Sequence, residues 1–235
     1  MKIKAILFDL DGTLLPMDLR TFQQTSSALF AEKMKEYGYE PEALNKASWK
    51  AISAMSQNDG SKLNGDVYYE KMVEIYGDDM KRDFHLFEEF YRDEFNEVKK
   101  VCGYNPQAWE TVKYLKEKGY RLILATNAWF PTCAIENRLR WAGIEPDAFE
   151  FYTVMDNSSF CKPNLNYYRE ILEKVKLQPE ECLMVGNDVN EDMCASQIGM
   201  NVFLMTDCLI NKYEKDIEAY PKGGFDDLID YIENL

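Results

Sequence analysis

A chain of 235 residues can bury one substantial core and still leave room for a small satellite domain. Its 46% hydrophobic and 29% charged residues describe a soluble globular protein, and no apolar run approaches the ~18 residues that a membrane span needs. The 41 acidic residues outweigh 27 basic ones, and a net charge of −14 repels both phosphate backbones and anionic lipid, so neither nucleic acid nor membrane is expected as a partner.

The first element is the apolar run Ile6-Leu7-Phe8, which ends abruptly in Asp9-Leu10-Asp11-Gly12-Thr13. A run of that length bounded by a glycine turn predicts a buried strand. Two carboxylates two residues apart then stand at the carboxyl end of the strand, where open parallel sheets place their ligands. A single Asp is ordinary in a strand-to-helix turn, whereas a pair followed by Gly-Thr favours catalysis.

From about Thr21 to Val98 the pattern is helical, with no convincing strand. Phe22, Leu29, Met34 and Tyr37 share a face before Gly38. Pro41 opens a second helix carrying Leu44, Ala47, Ala51 and Met55. Asp66 is the expected cap of a third, with Tyr69, Met72, Val73 and Tyr76. Phe84, Phe87, Tyr91, Phe95 and Val98 form an aromatic stripe on a fourth, better read as packing than as a cofactor box. His85, the single histidine, has no second histidine to help it hold a metal.

From Tyr104 helix and strand alternate. Helices are expected from Asn105 to Gly119, Pro131 to Trp141, Asn164 to Val175, Glu191 to Ile198 and Phe225 to Ile232. Strands are expected at 121–126, 151–155, 182–186 and 201–205. Strands separated by helices of this length predict a parallel sheet with right-handed crossovers. The fold class is therefore α/β, a doubly wound parallel sheet, interrupted after its first strand by a small all-helical domain. Residues 1–15 and 103–235 form the core and 16–102 the insertion, which leaves directly after the Asp pair and should lie over the crevice as a lid. The N-terminus runs straight into the strand without a signal peptide, and the six cysteines (102, 133, 161, 182, 194, 208) include no Cys-x-x-Cys pair. Reduced thiols and a cytoplasmic location are expected.

Three further strand ends carry candidate chemistry. Thr126-Asn127 offers a hydroxyl and a backbone N–H to a phosphoryl oxygen. Lys162-Pro163 offers a cation beside the nucleophile. Gly186-Asn187-Asp188-Val189-Asn190-Glu191-Asp192 offers two aspartates four apart, within reach of a common metal. Each feature alone has an ordinary reading as turn, surface lysine or helix-dipole partner; their common order and position are what count.

Asp9-Leu10-Asp11-Gly12-Thr13, Thr126-Asn127, Lys162 and Gly186–Asp192 together resemble the four motifs of the haloacid dehalogenase superfamily. The resemblance covers the core and implies a helical cap in the insertion. It implies Asp9 as a nucleophile that becomes a phospho-aspartate, Asp11 as general acid and base, Lys162 as a catalytic cation, and Thr126, Asn127 and Lys162 as phosphate ligands. Mg²⁺ is the implied cofactor, held by Asp9, the Asp11 carbonyl and Asp188, with Asp192 binding directly or through a water. Two departures stand out: Asn187 occupies the usual Asp position of the fourth motif, and Leu165 replaces the usual second proline after Lys162. Asp11 favours phosphate-ester chemistry, since a halide leaves without a proton. The expectation is a Mg²⁺-dependent phosphatase, monomer or homodimer, acting on a small phosphorylated metabolite. A phosphomutase, a phosphonatase using Lys33, Lys35, Lys46 or Lys50, and a non-catalytic binding protein are the alternatives.

Overall fold

Strand β1 (Ala5–Phe8) is buried on both faces, as its unbroken apolar run requires of a central parallel strand. The computed structural model describes residues 2–235. Within them β2 (Arg121–Leu124), β3 (Phe151–Tyr152), β4 (Cys182–Gly186), β5 (Asn201–Met205) and β6 (Lys222–Gly223) join β1 in one sheet. The order is β3-β2-β1-β4-β5-β6, parallel throughout. The order reverses between β1 and β4, and ligand sites form beyond the carboxyl ends of the strands at such a switch point.

Side-chain alternation splits the core into two layers. Ile6 and Phe8 face α5 (Pro106–Glu117) and α6 (Thr132–Trp141); Ala5 and Leu7 face α7 (Leu165–Val175). Helix α8 (Phe225–Glu233) closes the first layer through Leu228 and Ile232. Between β1 and α5 the chain builds the small helical cap. Its helices are α1 (Leu19–Lys35), α2 (Pro41–Ser56), α3 (Asn64–Tyr76) and α4 (Phe84–Arg92). Phe30 packs on Phe87 and Phe90 at centroid distances of 4.9 and 5.2 Å. All six cysteines are free.

Several expectations need correction. Asp66 does not cap α3: the helix begins at Asn64, where the backbone N–H groups of Asn64 and Gly65 donate to the Ser158 and Met155 carbonyls, both at 2.8 Å. Core carbonyls thus satisfy the helix's orphan donors, and the Asn64 side chain adds bonds to the Ala128 and Phe160 carbonyls. The fourth cap helix is two pieces, α4 and a 3₁₀ turn at Glu94–Val101. The Asn96 amide takes the Arg92 and Asp93 carbonyls at the break, while its oxygen accepts from the Trp141 indole. The expected helix from Glu191 is a 3₁₀ turn at Met193–Ile198, because Asp188 Oδ1 already holds the Asn190 and Glu191 N–H groups in a loop. β2 and β3 end sooner than expected, and β6 has no apolar signal to reveal it.

Candidate active site

Asp9 follows β1, and its N–H donates to Val185 of β4 at 2.9 Å, which fixes it at the switch point. The turn after it needs glycine twice over: Gly12 has φ +86°, and a Cβ there would lie 2.3 Å from Asn187 Nδ2. That close approach welds the first and fourth motifs together. The Thr13 hydroxyl bridges them too, 3.0 Å from Asn187 Oδ1 and 3.3 Å from Asp9 Oδ2. Asn187 donates its remaining amide to the Cys208 carbonyl at 2.7 Å, so its side chain is occupied in positioning.

Lys162, from the loop before α7, is buried and donates to Asp9 Oδ1 at 2.8 Å and Asp192 Oδ1 at 2.7 Å. Burial works against its ammonium, but Asp192 and Asp9 outweigh it and hold the pKa well above the usual lysine value. Asp192 Oδ2 also accepts from the Asp188 N–H at 2.9 Å. Asp192 therefore serves Lys162 and the loop backbone. Asp188 lines the cavity with Asp9 and Asp11.

Asp11 pairs through Oδ2 with Arg138 of α6, and its Oδ1 is buried without a hydrogen-bond partner. Burial pushes the Asp11 carboxyl above the usual carboxylate range; Arg138 pulls it down and Asp9 adds to the rise. Arg138 is fully buried, its guanidinium 4.3 Å from the Phe130 ring centre and 5.7 Å from that of Phe22.

Thr126 is buried where β2 gives way to loop, its carbonyl accepting from the Thr153 and Tyr167 hydroxyls at 2.6 and 2.7 Å. Asn127 donates to Glu191 Oε2 at 3.0 Å, and its own Oδ1 is buried and unpartnered. Burial raises Glu191 to about 8, with Lys162 opposing. The sequence-derived residues Asp9, Asp11, Thr126, Asn127, Asp188 and Asp192 all line one cavity, with Lys162 bonded to two of them.

Two charged participants, Arg138 and Glu191, were not singled out from the sequence. Arg138 carries a usable signal: it falls in the apolar register of α6, four residues after Ala134 and three after Ile135, where a cation demands a buried counter-charge. Glu191 carries none, since an acid at a helix start is commonplace.

Five carboxyl groups thus gather around two cations, a site rich in hard oxygen donors. Among the described residues no three His, Cys, Asp or Glu side chains form a complete metal cage. The Asp9 and Asp188 carboxylates with the Asp11 carbonyl are a sparser set, of the kind that suits an ion retaining several waters. None of the candidate Schiff-base lysines lines the cavity: Lys33 pairs with Glu94 and Lys35 with Glu32, while Lys46 and Lys50 are exposed.

A six-stranded parallel sheet in this order, a helical cap after the first strand and an Asp pair at the switch point define a doubly wound α/β core with a capped site at its crevice. A family profile, haloacid dehalogenase-like hydrolase, matches residues 3–197, and the chain belongs to that family. The phosphoglycolate phosphatase of Vibrio vulnificus is 30% identical over 210 residues, covering 87% of this chain and 84% of its own. The glyceraldehyde 3-phosphate phosphatase of Methanothermobacter thermautotrophicus is 28% identical, covering 99% and 98%. The crystal structure of a 2-haloacid dehalogenase from Pseudomonas syringae superposes with a TM-score of 0.65 at 19% identity over 99% of each chain, a likeness of fold.

Proposed function

We propose that the chain is a Mg²⁺-dependent phosphatase that hydrolyses a small phosphorylated substrate through a phospho-aspartate on Asp9. The observation that carries this reading is the arrangement at Asp11: a half-buried carboxyl with a raised pKa, one oxygen held by Arg138 and the other buried without a partner. That oxygen can carry the proton that an alkoxide leaving group needs. The names of the curated relatives agree with this chemistry.

In this reading Asp9 attacks phosphorus while Lys162 neutralises charge between the nucleophile and the phosphoryl oxygens. The Thr126 hydroxyl and an Asn127 N–H bind those oxygens. Asp11 protonates the departing alcohol, then takes a proton from the water that hydrolyses the phospho-aspartate. Mg²⁺, when bound by Asp9, Asp188 and the Asp11 carbonyl, would supply the positive charge that lets a dianion enter an acidic cavity. Asp192 acts by holding Lys162, and Arg138 by orienting Asp11.

The division into a core of 1–15 and 103–235 and a cap of 16–102 belongs to the same proposal. It is supported by a single paired crossing, where Met17 bridges to Cys102 and the Gly103 N–H donates to the Pro16 carbonyl at 2.7 Å. No helix among the described residues is long and apolar enough to cross a membrane. A cytoplasmic monomer or homodimer is the setting we assign.

Release of orthophosphate from a panel of phosphate esters tests the reading. Activity should vanish in EDTA and return with Mg²⁺, and Asp188→Ala should raise the Mg²⁺ requirement. Activity untouched by exhaustive EDTA, or restored by zinc and not by Mg²⁺, would exclude it.

A further inference from the structure

The cavity above Asp9, ≈ 130 Å³, has walls of two kinds. Its acidic residues, Asp9, Asp11, Asp188, Glu191 and Asp192, all come from the core. Away from them aromatic rings predominate: Phe22, Trp49, Tyr69 and Tyr91 from the cap, Trp129 and Phe130 from the loop after β2. Trp49 keeps 41% of its surface exposed although it stands on the cavity wall, and Leu19 keeps 37%. Apolar surface left open in a concave site is surface that a ligand can cover.

The polar groups among these rings are neutral: Gln23, Ser26, Ser27, Asn45 and Ser48. No Lys, Arg or His lines the cavity among the described residues. Lys162 and Arg138 are buried in its floor, each already paired with a carboxylate. Arg20 borders an outer depression that shares Gln23, Ser27, Asn45 and Trp49 with the cavity, but it does not itself line the cavity.

We propose that this cavity selects phosphate monoesters of neutral alcohols bearing a flat aromatic or heteroaromatic group over esters of small hydroxy acids. The proposal rests on the phosphatase reading and names its substrate class. A carboxylate one carbon from the phosphate would be desolvated without a counter-charge among five acidic side chains. A ring in the same place gains from burial and from edge and face contacts with its neighbours. Hydrogen-bonding atoms on the ring would find partners in the neutral amides and hydroxyls.

Calorimetric titration with non-hydrolysable phosphonates, Mg²⁺ present, separates selection from turnover. Benzylphosphonate should bind about tenfold or more tighter than methylphosphonate, and phosphonoacetate no tighter than methylphosphonate. Trp49→Ala should remove most of the benzyl preference while leaving methylphosphonate affinity unchanged. Ser27→Arg should bring phosphonoacetate binding up by about tenfold. Equal affinity for the three, a preference for phosphonoacetate, or no benzylphosphonate binding overturns the proposal. Turnover of benzyl phosphate against ethyl phosphate reports on the underlying reading. Selective benzylphosphonate binding without hydrolysis of either ester would defeat the phosphatase and leave the selection standing. Equal hydrolysis of both esters with equal phosphonate affinity would do the reverse.

Discussion

The floor of the cavity and its roof solve different problems. On the floor, charged groups hold one another: Lys162 spans Asp9 and Asp192, Asp192 takes the Asp188 N–H, and Arg138 clamps Asp11. On the roof, rings and neutral polar groups from separate helices meet without a charge, and Trp49 remains partly open. Preorganised charge stabilises a transition state because its reorganisation is already complete. A partly open apolar wall instead gains its free energy only when something covers it. Chemistry and selection can therefore be broken separately.

The largest effect is expected on the floor. Asp9→Asn should lower turnover by about 10⁴-fold or more, with circular dichroism unchanged, because the substitution preserves shape and removes the nucleophile. Retention of more than a few per cent of activity by a folded variant would assign the attack elsewhere. Against this, Trp49→Ala on the roof should leave small-ester turnover nearly intact, so the two variants mark the extremes.

Asp11→Asn comes next, at about 10²–10⁴-fold. Its signature is the leaving group: phosphorylation of Asp9 by p-nitrophenyl phosphate should slow much less than by an alkyl phosphate, because nitrophenolate needs no proton. Single-turnover rates with both esters decide this. Equal losses would leave Asp11 as a backbone ligand and a partner for Arg138, with no role in proton transfer.

How far each region can be read from sequence follows from the range of its interactions. β1, β4 and β5 are legible because buried parallel strands are short apolar runs, and the floor residues follow from their position at strand ends. Helix α3 begins before Asp66 because the Ser158 and Met155 carbonyls, remote in sequence, satisfy its first N–H groups, which no local pattern announces. The aromatic stripe on α4 was readable as packing. That Phe87 and Tyr91 also line the cavity depends on how the cap docks. Arg138 was legible in principle, as a cation in an apolar helical register; its partner was not, because Asp11 lies 127 residues away.

The smallest effect is on stability. Burial raises Glu191 to about 8 from an ordinary value of 4.5, and Asp192 is raised by the same cause. Between those pH values the folded chain binds more protons than the unfolded one, so the stability these groups contribute is present at low pH and lost as pH rises through the folded-state pKa. In EDTA the thermal midpoint should therefore fall by a few degrees from about pH 6 to about pH 9, and Glu191→Gln should flatten the slope. A midpoint that rises over this range would contradict the raised Glu191 carboxyl.

Direct capture of the covalent intermediate is the sharpest test that the floor works through Asp9. Rapid acid quenching during turnover of a phosphate ester with Mg²⁺, then borohydride reduction, converts an acyl phosphate on aspartate to homoserine, which peptide mass spectrometry locates. Conversion is expected at Asp9 alone, dependent on substrate and absent from Asp9→Asn. Conversion at another carboxylate, or steady turnover with no reducible acyl phosphate at any time point, would contradict it.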